Sequence, residues 1–162
     1  MIWELSHKAD KEALLLADRH YNRQKPGSPQ FLPPGRTCAL LTRCRKALWA
    51  VVDQKHTDHA WPDAWVNCLF RNEGAGLSSE LILSAIAATR YQMGEPPNQG
   101  IITFVDPNEV RSKNPGYCYE CAGFEKVGRT KVRGLLVMQM KPDDFPAPMP
   151  PYRRQMSLLL EF

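Results

Sequence analysis

One stretch of the sequence combines residue types and spacing suited to phosphate binding, namely Arg71-Asn72-Glu73-Gly74-Ala75-Gly76. The apolar run 65–70 before it predicts a buried strand, and residues 77–93 after it, which contain no Gly or Pro, predict a helix. A Gly-rich turn between a strand and a helix leaves backbone N–H groups free to bind phosphate or pyrophosphate. Glycines also allow a ligand to approach the backbone closely. The same pattern is common in turns without a ligand. The turn alone therefore does not distinguish a phosphate-binding turn from a purely structural one.

Two well-known nucleotide-binding motifs are excluded at this turn. No Lys-Ser/Thr pair follows Gly76, so the turn is not a Walker A loop. A third glycine and a series of βαβ units are also lacking, so it is not a Rossmann fingerprint.

The segment 19–36 predicts a long irregular loop, because its prolines and glycines prevent a long helix. Its polar residues are more varied than those of a plain linker, and long loops inside compact domains often bind substrate. A purely structural role remains the alternative. The candidate substrate-binding residues are Arg19, Tyr21, Arg23, Ser28, Gln30, Phe31 and Arg36.

Charge is unevenly distributed along the 162-residue chain, whose net charge is +4. Residues 19–52 contain seven Lys or Arg and no Asp or Glu. Such a run favours an anionic partner, either the phosphates of a cofactor or nucleic acid. A solvated surface without a partner explains it equally well.

Two short pairs have the residue types of metal ligands, His56-x-x-His59 and Cys118-x-x-Cys121. Neither has a second pair at matching spacing, so the sequence predicts no metal site. The cysteines, five in all, are scattered and are expected to be reduced thiols.

Length and composition favour one globular domain with a substantial core. We divide it into residues 1–64, residues 65–141 and a Pro-rich tail (142–162). No apolar run approaches membrane-spanning length, and residues 1–8 do not resemble a secretory leader. We therefore expect an intracellular, cytoplasmic protein with no membrane partner; its oligomeric state is not predicted.

Hydrophobic patterning predicts the remaining elements. A first strand within 1–5 is followed by a helix from a Ser6 cap to about Tyr21. The further strands are expected at 37–42, 47–52, 101–105, 124–130 and 135–140, a short helix at 117–122 and an extended tail at 142–151.

This order of elements, together with two motifs, resembles the GNAT superfamily of acyl-CoA N-acyltransferases. Arg71-x-x-Gly74-x-Gly76 matches the family's Arg/Gln-x-x-Gly-x-Gly/Ala loop, and Tyr119-x-x-x-Gly123-Phe124 matches its Tyr-x-x-x-Gly-Phe segment. The motifs lie about forty residues apart in the family's order and cover roughly residues 65–130. The resemblance implies an α/β (α+β) fold: a mixed, mostly antiparallel sheet, splayed between its fourth and fifth strands, with helices on both faces.

The resemblance also implies a cofactor and a mechanism, with residues 1–64 as acceptor-side elements and 65–141 as the acyl-CoA-binding core. Acetyl-CoA or another acyl-CoA would lie in the splay, with its pyrophosphate at 71–79. The implied cofactor-binding residues are Leu69, Phe70, Arg71, Gly74, Ala75, Gly76, Leu77, Ser78 and Ser79. In the family a strand N–H, here within 67–70, holds the thioester carbonyl, and the tyrosine, here Tyr119, protonates the leaving thiolate. The candidate bases are Asp106, which could equally cap a turn, and His20.

Two departures from the family pattern leave the acceptor open. Ser78 and Ser79 stand where the family has apolar residues, and we expect them to cap the helix rather than bind phosphate. The family's usual Asn before the Tyr is not at its spacing. The GNAT-like Mom proteins of bacteriophages, which modify adenine in DNA, have a layout that Asp106, Tyr119 and Phe124 loosely fit. The hypotheses are therefore DNA modification, N-acetylation of a small-molecule or protein amine, and a non-catalytic binding module.

Overall fold

The computed structural model describes residues 1–23, 25–54, 60–110 and 113–154. Seven strands form one sheet: β1 (Trp3–Ser6), β2 (Arg36–Thr42), β3 (Ala47–Asp53), β4 (Trp65–Asn72), β5 (Ile101–Val105), β6 (Glu125–Arg129) and β7 (Leu136–Met140). The helices are α1 (Lys11–Ala17), α2 (Ser78–Met93) and α3 (Tyr117–Ala122), with one 3-10 turn at Pro142–Asp144. Within these ranges no helix has the length and apolar character needed to cross a membrane.

The sheet order is β1-β2-β3-β4-β5-β7-β6, and the pairing is antiparallel except between β4 and β5. These two parallel strands pair at three positions, ending at Asn67 opposite Thr103. Beyond that point β4 continues for five residues and β5 for two, and they diverge. The predicted splay between the fourth and fifth strands is thus present.

Helices cover both faces of the sheet, as predicted. On one face α2 and α3 pack on a core that contains Trp49, Trp65 and Ile101. On the other face α1 packs with Phe31 and with residues of β2, β3 and β4. A smaller apolar cluster around Val66, Ile102 and Val137 extends this second face towards β7. The fold class predicted from the sequence is confirmed.

Several predictions of local structure were wrong. The first helix begins after Asp10, whose carboxylate accepts the Glu12 N–H, whereas Ser6 ends β1 and donates to Asp10. Aspartate caps a helix as well as serine does. Because Ser6 pairs with Ala39 of β2, the helix starts later, after Asp10. The helix also ends at Ala17, well before Tyr21. In the tail, residues 142–144 form a 3-10 turn instead of extended chain.

A further correction concerns the start of α2. Leu77 is the N-cap residue, and no side chain caps the helix there. The Ser78 hydroxyl instead accepts a hydrogen bond from the Asn72 side chain. β4 also continues to Asn72, so Arg71 belongs to the strand and not to the turn.

Candidate active site

A cavity of about 150 Å³ lies where β4 and β5 separate. Residues from four parts of the chain line it, among them His20 from the segment after α1, Asn67 from β4, Thr103 from β5 and Tyr119 from α3. The predicted cofactor residues Leu69 and Phe70 also line it. The tertiary structure thus brings two of the predicted catalytic residues, His20 and Tyr119, to one cavity.

Tyr119 is held in the cavity by packing and by one hydrogen bond. Its ring contacts Phe70 and Phe124 edge to face, with centroids 6.2 and 5.2 Å away. Its hydroxyl donates to Oδ1 of Asn67 at 2.8 Å. Burial raises the pKa of Tyr119 well above its ordinary value, so the hydroxyl keeps its proton at neutral pH.

The neighbouring atoms fix the orientation of the Asn67 amide. Its Nδ2 donates to the carbonyl oxygens of Ala50 and Leu69, both at 2.9 Å. Since carbonyls only accept hydrogen bonds, Oδ1 must face Tyr119. These bonds span a β-bulge at Cys68, where the pairing of β3 and β4 shifts by one residue.

Sequence reasoning missed Asn67. The available signal was a polar residue inside an otherwise apolar strand. Such a side chain is buried at a cost unless it is hydrogen-bonded, and Asn67 is only 3% exposed.

Beyond the point where β5 diverges, the backbone edge of β4 is covered by the segment after α1, which contains His20 and Asn22. His20 Nε2 lies 3.1 Å from the Phe70 carbonyl oxygen, and Asn22 Nδ2 donates to the Cys68 carbonyl at 2.9 Å. Burial lowers the pKa of His20 below 6.5. Both ring nitrogens face an acceptor, because Nδ1 lies 2.6 Å from the side-chain oxygen of Asn22 and Nε2 faces the Phe70 carbonyl. These two hydrogen bonds raise the pKa and oppose the larger effect of burial.

Asp106 lies in a second cavity, of about 230 Å³, which adjoins the first. The two cavities share Tyr21, Asn67 and Phe104 among their lining residues, so the site passes through the split in the sheet. The Asp106 carboxylate accepts the Asn108 N–H at 2.9 Å and lies 3.8 Å from Nη2 of Arg133. Asp106 thus caps a turn, and it also lines this cavity. Its role as the base stays a prediction.

The Gly-rich turn is organised by the Asn72 side chain. Its Oδ1 accepts the N–H groups of Gly74 and Ala75, at 3.1 and 2.9 Å, and its Nδ2 donates to the Gly76 carbonyl at 2.8 Å. The first intrahelical bond of α2 runs from the Leu81 N–H to the Leu77 carbonyl. The N–H groups of residues 78–80 precede that bond and point out of the helix N-terminus.

Arg71 and Arg19 both bind the Glu73 carboxylate beside this turn. Arg19 donates two hydrogen bonds, of 2.9 and 2.8 Å, and Arg71 donates through Nε. The hydrogen bond from Arg19, with a further contribution from Arg71, lowers the pKa of Glu73 to about 2. Two cations around one carboxylate leave a net positive charge at the mouth of the split.

Most of the predicted substrate residues in the loop hold the loop itself together. Arg23 donates to Asp18, to the Ser28 hydroxyl and to the carbonyls of Ser28 and Gln30. Phe31 is buried against α1. Of the predicted set, only Tyr21 lines the cavities at the split, where its ring stacks on His20.

Other arginines of the basic stretch are paired with acidic residues that lie outside it. Arg36 binds Asp53 and the Met93 carbonyl, away from both cavities. Arg45 binds Glu4 and Glu12. The positive charge that is concentrated in residues 19–52 is therefore largely neutralised by ion pairs in the fold.

Metal binding finds no support in the described ranges, where no group of three His, Cys, Asp or Glu could hold an ion. Cys118 and Cys121 are free thiols, and burial raises the pKa of Cys118. The His56 and His59 pair lies outside the described residues.

Comparison with solved structures found two structures with a similar fold. The structure of AAC(6')-Ib in complex with ribostamycin and coenzyme A has a TM-score of 0.58 and 16% identity, over 89% of this chain and 96% of that one. A crystal structure of aminoglycoside acetyltransferase AAC(6')-Ib in complex with coenzyme A has a TM-score of 0.54 and 18% identity, over 88% and 96%. The chain therefore shares its fold with these two acetyltransferase structures. No protein-family profile and no curated protein sequence matches it.

Within this fold, the sequence-derived cofactor and catalytic residues occupy one region. Leu69, Phe70, His20 and Tyr119 line the cavity at the split, Asp106 lines the adjoining one, and residues 71–79 follow from the diverging end of β4. The roles given to them remain predictions.

Proposed function

We propose that the protein is an acyl-CoA-dependent N-acyltransferase whose acceptor is a small-molecule amine. The observation that carries this proposal is the split between β4 and β5, where the buried Tyr119 hydroxyl and the Asp106 carboxylate line adjoining cavities. Two structures of AAC(6')-Ib, which has a similar fold, are complexes with coenzyme A, and one of them also contains ribostamycin. Both complexes are compatible with a cofactor and an amine meeting in such a split.

The Gly-rich turn suits the pyrophosphate of coenzyme A. Gly74 has φ of +102°, and a Cβ there would meet no atom within 4 Å, so its surface is open to a ligand. The N–H groups of residues 78–80 supply donors and the positive end of the α2 dipole. Arg19 and Arg71 add positive charge at the same place.

Acyl-CoA supplies the acyl group as a thioester. Two residues of this chain each transfer one proton during the reaction. Asp106 accepts a proton from the attacking amine as the N–C bond forms. A backbone N–H within 67–70 binds the carbonyl oxygen, and Tyr119 donates its proton to the sulfur as the C–S bond breaks. The proton gained by Asp106 balances the one lost by Tyr119, which regains its proton from solvent.

A small amine is favoured over DNA as the acceptor. The basic stretch that suggested DNA is largely engaged in ion pairs, including Arg19 with Glu73, Arg23 with Asp18 and Arg36 with Asp53. One of the two similar structures instead contains ribostamycin together with coenzyme A. DNA modification of the Mom type therefore has no support beyond the sequence layout.

Thermal stability with and without acetyl-CoA tests the proposal. We expect acetyl-CoA to raise the Tm of the wild-type protein and not that of Gly74→Glu, whose new carboxylate would repel the pyrophosphate. Gly27→Glu is the matched control, because Gly27 also has a positive φ, +85°, in open space. It should retain the full Tm shift. Absence of a shift in wild type and Gly27→Glu would remove acyl-CoA from the proposal.

A further inference from the structure

A third cavity, of about 760 Å³, adjoins the Asp106 cavity on the face of the sheet that α1 covers. The two share Phe104, Arg133 and Leu135, so together they form one groove leading away from the split. The far end of this groove is formed by Trp61 and by the turn that joins β6 to β7. We call it the acceptor groove.

The charges of the acceptor groove are separated along its length. Arg129 and Lys131 line its far part, Asp106 lies at the end next to the split, and Arg133 lies between them because it lines both cavities. Among the described residues that line the two cavities, Asp106 is the one carboxylate. Arg133 lies 3.8 Å from it, and Arg129 donates to the Gly134 carbonyl at 3.3 Å. The far part of the groove is therefore cationic and the inner end anionic.

The walls between these charges are apolar. Phe104 and Leu135 lie along the groove, and Val132, at the tip of the β6–β7 turn, is 96% exposed. Trp61 packs over Gly128, where a Cβ would lie 3.7 Å from its ring. A ligand in the groove thus meets a flat aromatic surface beside the cationic side chains.

From this arrangement we infer that the acceptor is a zwitterionic small molecule, an amine that also carries a carboxylate or a phosphate. The inference rests on the proposed function. The amine binds at Asp106, and the anionic group binds among Arg129, Lys131 and Arg133. An aromatic or aliphatic portion between the two groups contacts the walls of the groove. A polycation such as an aminoglycoside would place positive charge against these three cationic side chains.

Matched pairs of amines test the inference with acetyl-CoA as donor and thiol release as the readout. One pair is phenylalanine and phenethylamine, and a second is phosphoethanolamine and ethanolamine; ribostamycin is the polycation. We expect the anionic member of at least one pair to have a kcat/KM at least about tenfold above its partner, the effect of one good ion pair. Equal or greater activity with the partners that lack the anionic group, or with ribostamycin, would overturn the inference, as would no activity with any amine.

Charge reversal in the groove gives a second, independent readout. Lys131→Glu should raise KM for the preferred anionic amine about tenfold and leave the Tm shift with acetyl-CoA unchanged. The control Lys141→Glu changes an exposed lysine just after the opposite end of β7 and should leave KM as in wild type. An unchanged KM in Lys131→Glu would overturn the inference, and so would inhibition by a DNA oligonucleotide that is lost in this variant. If acetyl-CoA does not raise the Tm of the wild-type protein, the proposed function itself is overturned.

Discussion

The hydroxyl of Tyr119 donates a 2.8 Å hydrogen bond to the side-chain oxygen of Asn67, at the point where β4 and β5 separate. The same asparagine donates to two backbone carbonyls across the bulge of β4. The Thr103 hydroxyl donates a 3.0 Å hydrogen bond to the backbone carbonyl of Asn67. One buried side chain therefore links the position of the tyrosine to the geometry of the split.

Asn67→Ala should destabilise the fold by about 3 kcal/mol, because it leaves the Ala50 and Leu69 carbonyls without this donor and the Tyr119 hydroxyl without its acceptor. Urea unfolding measures the change. Asn98→Ala is the control, since Asn98 is exposed, and it should change stability by less than about 0.5 kcal/mol. Equal stability of the two variants would show that the Asn67 bonds do not hold the bulge.

Tyr119→Phe should lower kcat about a hundredfold or more, because the phenyl ring keeps the aromatic contacts and loses the proton donor. Steady-state kinetics with acetyl-CoA measure it, and the Tm shift with acetyl-CoA should be retained. Tyr117→Phe, which removes a hydroxyl from the exposed start of α3, is the matched control and should keep wild-type kcat. Retained activity in Tyr119→Phe would remove the tyrosine from the mechanism and favour another proton donor.

Asp106→Asn should lower kcat/KM about a hundredfold or more, because an amide cannot take the proton of the amine. Asparagine can still accept the Asn108 N–H, so the turn should be preserved. His20→Gln keeps a donor for the Phe70 carbonyl and should cost less than about tenfold. A larger loss in His20→Gln than in Asp106→Asn would make His20 the base.

Glu73 should contribute an acid-sensitive part of the stability. Its pKa is lowered from 4.5 to about 2 by Arg19 and Arg71, so its contribution is fully present above about pH 5 and is lost as the pH falls through about 2. Urea midpoints from about pH 6 down to about pH 2.5 should therefore fall less in Glu73→Gln than in wild type.

The control for this pH dependence is Glu95→Gln. The Glu95 carboxylate also pairs with an arginine, Arg90, but it is 79% exposed and screened by solvent. Its removal should leave the pH dependence as in wild type. If Glu73→Gln and Glu95→Gln behave alike, the pairs at the Gly-rich turn do not stabilise the fold.

Sequence patterns with strong local causes predicted the elements well. The β-branched and aromatic run Ile101–Val105 forms the fifth strand, and the short helix Tyr117–Ala122 has the predicted bounds. Where local signals compete, the prediction failed. Both Ser6 and Asp10 can cap a helix, and only the pairing of β1 with β2 commits Ser6 to a strand.

The sequence by itself therefore determined the order of elements, the Gly-rich turn before α2 and the tyrosine segment of α3, because each depends on neighbours within a few residues. The tertiary structure alone decided which residues meet. Arg19 and Glu73 are 54 positions apart, and Tyr119 and Asn67 are 52 apart, yet both pairs are hydrogen-bonded. No local periodicity encodes such contacts, since they arise only when the divergence of β4 from β5 opens a cavity that side chains from distant segments line.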